Sequence, residues 1–355
     1  MSLSGDLSVD TVNTYTGTVL LSGINTMTIL NVYGDVQLTG TSNSMGTVNV
    51  YGSVSLSGAG SVGASTVINI GSSSASGILT FASGFTLLGG AISLDATVGS
   101  FSSSFNDAGN NVTISSQIGG VGVYTKQGSG IQTLTDNSNS YTGGTNITAG
   151  VLRISNLGQI NSVAAAGITM TGGGTLFTTA DMTLPNSLTI AGSGGLSALD
   201  STTLTISSDI SAPGATLLIG NTQVSSVLGT SASGTVVLQG TGSSIGSIVV
   251  GAVDISNVSY PATLSVDAVS ELGNTGSLTL QGGGVFTTTG NIAIAFPVNV
   301  GTGSGTLSLG SIYTLTVSGS ISTASGAVGS PALNITGGSA FIFSGDNSSF
   351  TGNLL

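Results

Sequence analysis

The side chains that could carry out acid–base or nucleophilic chemistry are few. The 355 residues include no histidine and no cysteine, and the only basic residues are Lys126 and Arg153. A nucleophile activated by histidine is therefore unavailable, and so are thiolate and imidazole metal sites. Lys126 and Arg153 remain as candidates for the base of a polysaccharide lyase. We expect both to be solvated instead, Lys126 in the turn TKQGSG and Arg153 on the outer face of a strand.

Asp181 and Asp200 are the best candidates for a pair of catalytic carboxylates. Glycoside hydrolysis needs two such groups about 5–9 Å apart. Their separation along the chain is close to one coil, so they would stack if the chain returns to one face about every 20 residues. In a later repeat their places are taken by Asn291 and approximately Ser311. No tryptophan is present to offer a platform for sugar rings, and we predict no catalytic residue and no enzymatic activity.

Two oxygen-rich segments and two glycine triplets resemble ligand loops. FNDAGNN (Phe105 to Asn111) and SGDNSS (Ser344 to Ser349) lack the acidic density of a calcium loop. Asp and Asn side chains bond nearby backbone, so we expect turns here and no metal site. The glycine triplets that begin at Gly172 and Gly282 are followed by no predicted helix that could present its N-terminus to a phosphate. No cofactor is expected, and the binding residues stay unidentified.

Composition and charge exclude several classes of protein. Hydrophobic residues make up 39% of the chain and charged residues 4%, with a net charge of −11. Nucleic acid and anionic membranes need a basic surface, which two cations cannot supply. Disorder needs low hydrophobicity and high charge. No apolar run is long enough for a membrane-spanning helix, and MSLSGDLSVD does not resemble a signal peptide.

Apolar and small polar residues alternate throughout, as in GTLSLGSIYTLTVSG, which is typical of strands. The segment NVYGDVQLTG (Asn31 to Gly40) soon returns as NVYGSVSLSG (Asn49 to Gly58), with seven of ten positions identical. A period this short indicates an all-β fold, a parallel β-helix (β-solenoid) with about 20 residues per coil. Stacked Asn side chains should bond along the ladder. Tyr33 and Tyr51 should form a stacked pair and not a ligand platform.

A longer repeat lies above the short one. The segment from Gly172 to Ser211 returns as the segment from Gly282 to Ser322. A third pattern aligns Tyr141, Ile245 and Phe350. These offsets indicate a duplicated block of five or six coils.

The long repeat also predicts which side chains point inward. Leu204 and Leu315 hold the same place in a strand of period two, as do Ile206 and Val317. We expect all four side chains to face the interior.

The segment GSGIQTLTDNSNSYTGGTNITAGVLRISN, Gly128 to Asn156, resembles the autotransporter-associated β-strand repeat. The similarity lies in a Gly-rich start, an Asn/Ser turn, the stretch Tyr141 to Thr145 and the strand that begins Gly150 to Leu152. It extends from about Gly119 to the end, although SSIGSIVVGA in the second copy lacks the aromatic residue and the Gly-Gly pair. The resemblance implies a right-handed parallel β-helix in the secreted passenger region of a Gram-negative surface protein.

These patterns divide the chain into β-helix coils without an assigned family (1–118), a first repeat block (119–258) and a second block (259–355) that we expect to continue beyond the chain. The chain would then be part of a longer protein, with a processed mature subunit as the other possibility.

The function expected is a non-enzymatic extracellular rod on a bacterial outer surface, presenting an uncharged Ser/Thr/Asn/Gly face as an adhesin or structural element. One alternative is a self-assembling subunit of a filament or sheath, since uncharged strand edges template pairing. The other is a carbohydrate-active β-helix enzyme. We expect self-association end to end or side to side. The sequence does not identify a host or cell-surface ligand.

Overall fold

The computed structural model describes residues 2–3, 6–39, 43–57, 65–82, 86–87, 90–95, 102–160, 166–220 and 232–355. Met1, Gly40 and Gly58, which belong to the segments singled out above, lie outside the described residues. The chain divides into two compact units, 1–168 and 169–355. The division into blocks 1–118, 119–258 and 259–355 is based on sequence repeats and not on compactness. It stays a prediction.

Unit 1 contains eighteen described strands and one short 3₁₀ helix, Leu157–Gln159. The strands are β1 (Ser2–Leu3), β2 (Leu7–Thr14), β3 (Thr18–Leu21), β4 (Asn25–Val32), β5 (Asp35–Leu38), β6 (Ser44–Val50), β7 (Ser53–Leu56), β8 (Val67–Ile70), β9 (Gly77–Phe81), β10 (Thr86–Leu87), β11 (Ala91–Leu94), β12 (Ser103–Asn106), β13 (Asn111–Ile114), β14 (Gln117–Gly120), β15 (Tyr124–Gln127), β16 (Ile131–Leu134), β17 (Thr145–Ile147) and β18 (Val151–Ile154). Strand β19 (Ile168–Thr171) lies at the division.

Unit 2 contains the remaining described strands and a second 3₁₀ helix, Val269–Leu272. The strands are β20 (Thr175–Thr178), β21 (Met182–Leu184), β22 (Leu188–Ala191), β23 (Ser193–Ala198), β24 (Thr203–Ile206), β25 (Ile210–Ile219), β26 (Thr235–Leu238), β27 (Ser244–Val250), β28 (Ala252–Val253), β29 (Ser259–Tyr260), β30 (Thr263–Val266), β31 (Leu278–Leu280), β32 (Gly284–Thr288), β33 (Ile292–Ile294), β34 (Val298–Val300), β35 (Gly305–Leu309), β36 (Thr314–Val317), β37 (Ile321–Thr323), β38 (Ala332–Gly337), β39 (Ala340–Phe343) and β40 (Asn353–Leu354).

Parallel pairing between successive turns builds both units, which confirms the predicted β-solenoid. The described parts of the chain form about 14 turns of about 22 residues each and contain almost no helix. The turns are slightly longer than predicted because the connections vary. Leu30 pairs with Val48, whereas Leu204 pairs with Val236, so the second return is nearly twice as long as the first. Among the described strands, the pair β28 and β29 is antiparallel. No helix of the described chain is long and apolar enough to span a membrane.

The ten-residue repeat near the N-terminus forms the same face of the solenoid on two successive turns. Strand β4 pairs with β6, which sets Asn31 against Asn49, and β5 pairs with β7, which sets Val36 against Val54. The repeated apolar positions therefore fill the interior: Val36 and Val54 are each 1% exposed. Because the two copies are one turn apart, their identical side chains stack on one another, as the sequence predicted.

A ladder of asparagine side chains runs along the outer face of β2, β4, β6 and β8. Asn31 donates from Nδ2 to Oδ1 of Asn13 at 2.8 Å, Asn49 donates to Asn31 at 2.7 Å, and Asn69 donates to Asn49 at 2.7 Å. The expected hydrogen bonding along the stack is confirmed. Each bond ties one turn to the next and contributes about 1 kcal/mol.

The core positions predicted from the long repeat are correct. Leu204 and Ile206 in β24 and Leu315 and Val317 in β36 are all 0% exposed, and the two strands share one alternation of buried and partly exposed residues. Full burial of such a side chain contributes roughly 1.5–3 kcal/mol. The equal burial supports the offset between the two copies.

The three aligned positions of the other repeat differ in burial. Tyr141 is 0% exposed and Ile245 is 1% exposed, whereas Phe350 is partly exposed. The alignment holds for two copies in the interior, and the third side chain is less covered.

The two 3₁₀ helices begin with the same arrangement. In the first, Oε1 of Gln159 accepts the backbone N–H of Ser155 at 2.6 Å. In the second, Oε2 of Glu271 accepts the backbone N–H of Asp267 at 2.8 Å, and the Glu271 side chain is buried. Burial raises the pKa of Glu271 to about 7, and the carboxyl of Asp267 adds to the increase. The one glutamate of the chain thus occupies a place that suits a neutral amide.

Candidate functional site

Lys126 does not lie in a solvated turn, so the expectation for this residue is wrong. It belongs to β15 and is 0% exposed. Its register partners are Phe105 in β12 and Ile147 in β17, which are both fully buried. Lys126 therefore stands in an inward column of apolar residues. The strand β15 extends through Gln127, so the alternation of the strand, and not a turn, decides the direction of the Lys126 side chain.

The Lys126 ammonium is enclosed by a carboxylate and by backbone carbonyls. Nζ donates to Oδ2 of Asp107 at 2.5 Å, to the carbonyl of Gly128 at 2.5 Å and to the carbonyl of Gly130 at 3.0 Å. The carbonyl of Gln127 lies farther away, at 3.4 Å from Nζ. The ammonium thus finds acceptors for all three of its N–H bonds. Burial lowers the pKa of Lys126, and the hydrogen bond to Asp107 opposes that change. The pair is an internal structural element closed to polymeric substrates.

Asp107 is satisfied on its other oxygen as well. Oδ1 accepts the backbone N–H groups of Gly109 and Gly130, each at 2.9 Å. The segment from Phe105 to Asn111 thus forms the turn that the sequence predicted, and its aspartate also reaches inward to the next turn of the solenoid. Gly130 contributes both its N–H and its carbonyl to the ion pair, which fixes the bend between β15 and β16.

Two further side chains complete the arrangement, called here the lysine cluster: Asp107, Tyr124, Lys126 and Gln132. Gln132 donates to the carbonyl of Phe105 at 2.7 Å and accepts the hydroxyl of Tyr124 at 2.7 Å. All four are 0% exposed. Burial raises the pKa of Tyr124 well above its usual value, so this residue serves as a neutral donor. A polar cluster with its donors and acceptors paired specifies one arrangement of the surrounding turns.

Aromatic rings stack beside the lysine cluster inside unit 1. The ring centroids of Phe105 and Tyr124 are 4.6 Å apart, and those of Tyr124 and Tyr141 are 5.8 Å apart. Phe81 continues the stack at 6.4 Å from Phe105. The Tyr141 hydroxyl lies 2.7 Å from Oγ1 of Thr145. The aromatic-Thr-Gly-Gly-Thr stretch therefore anchors one turn to the rings of its neighbours.

Gly150 closes the cluster from the following turn. Its φ angle is +63°, and a Cβ atom placed there would lie 2.6 Å from Nζ of Lys126 and 2.4 Å from the carbonyl oxygen of Gly130. A side chain at this position would push into the ion pair. The glycine that opens the strand Val151–Ile154 is thus required by the buried lysine.

Arg153 lies in β18 and is partly exposed, in agreement with the outward position expected. It pairs in register with Thr133, one residue after Gln132, and its side chain takes no part in the lysine cluster. Among the described residues, no group of three or more acidic side chains could hold a metal ion.

Asp181 and Asp200 occupy exposed positions, and each bonds to a different strand connection. Asp181 precedes β21 and accepts the backbone N–H of Thr203 at 2.8 Å, because β21 pairs with β24. Asp200 accepts the hydroxyl of Ser233 at 2.8 Å. The register therefore sets Asp181 opposite Thr203, 22 residues on, and not opposite Asp200. The expected stacking of the two carboxylates is not supported.

The later repeat copies the first of these bonds. Asn291 accepts the backbone N–H of Thr314 at 2.8 Å, as Asp181 does in the earlier copy. Ser311, the other counterpart, lies in a turn where its carbonyl accepts the hydroxyl of Ser339 at 3.2 Å. An amide replaces a carboxylate without loss of the contact, which indicates a strand-capping role.

The remaining loop candidates are turns, as predicted. Asp346 accepts the backbone N–H of Ser348 at 3.0 Å, which lowers the pKa of Asp346. Gly172 and Gly282 each begin a tight turn between strands, with φ angles of +56° and +57°. These φ values explain the glycines without a phosphate ligand.

The predicted tyrosine stack is present on the outer face of unit 1 and is longer than expected. The centroids of Tyr33 and Tyr51 are 5.1 Å apart, and Tyr15 extends the stack at 5.2 Å from Tyr33. Tyr15 is 68% exposed and Tyr33 is 48% exposed. Tyr15 follows Asn13 at the same spacing as Tyr33 follows Asn31, a regularity that would have identified it.

Sequence reasoning also missed the lysine cluster. The available signal was the segment YTKQ, in which Tyr124 and Lys126 share one face of a strand with period two. The contribution of Asp107 could not be read in this way, because it depends on which turn stacks on which.

A family model, the passenger-associated-transport-repeat, matches residues 125–154. The matched segment overlaps the one on which the resemblance rested, and it contains Lys126, Gln132, Tyr141 and Gly150 of the arrangement described above. No curated protein and no solved structure matches the chain. The passenger repeat and the β-solenoid together fit an autotransporter passenger β-helix repeat protein.

Proposed function

We propose that the chain is part of a non-enzymatic passenger solenoid displayed outside a Gram-negative cell, where it serves as an adhesive or structural element. The observation that carries this proposal is the match of residues 125–154 to a passenger-associated repeat, folded in parallel turns around the lysine cluster. A stack of turns held by continuous backbone ladders suits display and mechanical support.

The scarcity of charge supports the same role. Only 4% of the residues are charged, and the Lys126–Asp107 ion pair is buried. Salt screens interactions between exposed charges far more than buried ones. A protein that meets changing salt outside the cell would keep its stability, because few exposed ion pairs contribute to it.

Surface display can be tested on intact cells of the bacterium that carries the gene. An antibody raised against the purified chain should label intact cells, and external protease should remove the label. Labelling that requires lysis of the cells would refute display at the surface. An antibody against a cytoplasmic protein serves as the control for cell integrity.

The absence of catalysis is tested separately with uronic-acid polymers such as polygalacturonate, with and without Ca²⁺. We expect no turnover. Turnover that is lost in the variant Asp200→Asn would refute the non-enzymatic role.

A second candidate function is self-assembly into a filament or sheath, and exposed apolar side chains in unit 2 favour it. Phe341 and Phe343 of β39 pair in register with Leu315 and Val317 of β36, yet the phenylalanines are only partly buried, whereas their partners are 0% exposed. Leu354 in β40 is 60% exposed. A cavity of about 170 Å³ lies beside them, lined by Ile321, Leu333, Phe343, Asn347, Phe350 and Leu354.

The self-assembly candidate commits to a second copy of this chain as the partner. Sedimentation velocity at tens of micromolar should then reveal oligomers that the variant Leu354→Asp disperses. The variant Ile312→Asp is a matched control, since Ile312 is 74% exposed and lies outside this cavity. A monomer at every concentration, or equal dispersal by both variants, would refute association through this surface.

A further inference from the structure

A groove of about 460 Å³ lies on the outer face of unit 1, beside the tyrosine stack. It is lined by Tyr33 and Tyr51 and by Ser72, Ser74 and Ala75. Aromatic carbon and serine hydroxyl groups therefore face one space. Pockets that recognise small molecules combine apolar walls with a few placed polar groups in this way.

Ser72, Ser74 and Ala75 line the groove because the chain carries an insertion at this point. Val50 pairs with Ile70 and Ser53 pairs with Ile78, so residues 71–77 stand where the preceding turn has only Tyr51 and Gly52. The inserted segment is 72–76, with the sequence SSSAS. The connection one turn earlier is the dipeptide Tyr33-Gly34, which carries no such extension either.

The inserted turn holds its hydroxyl groups in place by internal bonds. The backbone N–H of Ser72 donates to the carbonyl of Ala75 at 2.8 Å. The backbone N–H of Ser74 donates to Oγ of Ser72 at 3.1 Å, and the two hydroxyl oxygens are 3.3 Å apart. The two hydroxyl groups are thus held close together in a segment that lines the groove. A ligand that binds them would therefore lose little free energy in ordering these side chains.

We propose that this groove binds a neutral hexopyranose at the end of a glycan. A pyranose ring has an apolar C–H face and a rim of hydroxyl groups. The C–H face would pack against the ring of Tyr51, which ends the described stack, because the ring of Tyr33 lies between Tyr15 and Tyr51. The hydroxyl groups would bond to Ser72 and Ser74. The stack would then serve as a ligand platform, contrary to the expectation from the sequence. Tyrosine suits such a contact because it offers a large apolar surface together with a polar hydroxyl.

The charges near the groove favour a neutral sugar over an acidic one. Asp95 follows Leu94, which pairs with Ile70, so it stands on the same column as Tyr51, two turns on. Burial raises the pKa of Tyr51, and Tyr33 and the charge of Asp95 add to the increase. Neither basic residue of the chain lines the groove. A uronic or sialic acid would find no cation among the lining residues and would approach the charge of Asp95 near Tyr51.

This inference names a ligand class for the adhesive face and in that respect rests on the proposed function. Its test uses purified full-length chain in solution, so failure to bind would leave the labelling of intact cells unaffected. The probes are methyl β-D-glucopyranoside, methyl β-D-galactopyranoside and sodium glucuronate at millimolar concentration, measured by saturation-transfer difference NMR.

We expect transfer to the ring C–H protons of at least one neutral glycoside and weaker transfer to glucuronate. Tyr51→Ala should reduce the affinity about tenfold, which corresponds to about 1.4 kcal/mol. Tyr51→Phe keeps the ring and should bind. Tyr15→Ala is the matched control, since Tyr15 belongs to the same stack but does not line the groove.

Three results would overturn the proposal: no transfer to either neutral glycoside, unchanged transfer in Tyr51→Ala, or stronger transfer to glucuronate. Circular dichroism of each variant establishes that the fold is kept. If Tyr51→Ala does not fold, loss of binding in the double variant Ser72→Ala/Ser74→Ala supports the proposal, and unchanged binding in that variant opposes it.

Discussion

Replacement of Lys126 by methionine tests whether the buried ion pair holds the turns of unit 1 together. Methionine keeps most of the length of the side chain and removes the ammonium. Asp107 would then remain 0% exposed, and its Oδ2 and the carbonyls of Gly128 and Gly130 would lose the ammonium from which they accept. The variant thus leaves a carboxylate and two acceptors without their donor.

The expected cost follows from this loss of partners. Removal of one member of a buried ion pair typically costs about 3–5 kcal/mol, because the other charge stays buried and uncompensated. The turn beside Asp107 keeps the N–H groups of Gly109 and Gly130 as donors to Oδ1, so we expect the lower end, about 3 kcal/mol. Since a factor of ten corresponds to about 1.4 kcal/mol, amides of β15 and β16 should exchange about 100-fold faster.

Hydrogen–deuterium exchange with mass spectrometry measures this effect peptide by peptide in the full chain. Arg153→Met is the matched control, because Arg153 is the other basic residue and is partly exposed. It should change exchange little, within about 0.5 kcal/mol. The double variant Lys126→Met/Asp107→Asn removes the orphaned charge and should recover part of the loss.

Two outcomes would refute this reasoning. Exchange in β15 and β16 that is the same in Lys126→Met and Arg153→Met would mean that the ion pair contributes nothing beyond packing. A double variant that is less protected than Lys126→Met would mean that the charge of Asp107 is not the source of the cost.

Three further predictions concern single side chains. The pKa of Glu271 is raised from 4.5 to about 7 in the folded state, so the folded state binds the extra proton and the free energy of unfolding falls as the pH rises through that window. After screening by water near the exposed Asp267, we expect the free energy of unfolding to fall by about 1–2 kcal/mol. Glu271→Gln should remove this pH dependence in thermal melts between pH 4 and pH 8. Asn49→Ala breaks two ladder bonds and should cost about 2 kcal/mol by exchange in β6, with equal protection in mutant and wild type counting against the ladder. Gly150→Ala should lower the melting temperature more than Gly192→Ala, because both have a positive φ but a Cβ at Gly192 meets nothing within 4 Å; equal effects would contradict the close approach to Lys126.

The fold was predictable because the repeat spacing itself determines what stacks. Asn31 and Asn49 hold the same place in the two copies of the short repeat, and the same alternation that buries Val36 and Val54 exposes the polar residues between them. Equivalent positions such as Leu204 and Leu315 follow from the long repeat in the same way. These predictions use only local alternation and a constant period.

The predictions that were wrong concern residues whose surroundings depend on the length of individual turns and on partners from other turns, which the alternation of a strand does not show. Lys126 was expected in the solvated turn TKQGSG, whereas it lies in β15 with its charge enclosed by a carboxylate and backbone carbonyls. Asp181 and Asp200 would stack at the predicted period of about 20 residues, but the actual return at Asp181 is 22 residues. Lengths of individual turns set the register, and the sequence shows them only after the strands are paired.

The asparagine ladder has a direction, and this affects how the chain can find its register. Every amide donates toward the N-terminal neighbour, from Asn31 to Asn13 and from Asn49 to Asn31. Each completed turn therefore leaves an oxygen that the next turn can bind, so the structure can grow by templating from the N-terminal side. With two returns of 18 residues each, a chain displaced by one whole turn would satisfy the same bonds. The insertion at 72–76 lengthens one connection among these turns, and it distinguishes that turn from neighbours that make the same asparagine bonds.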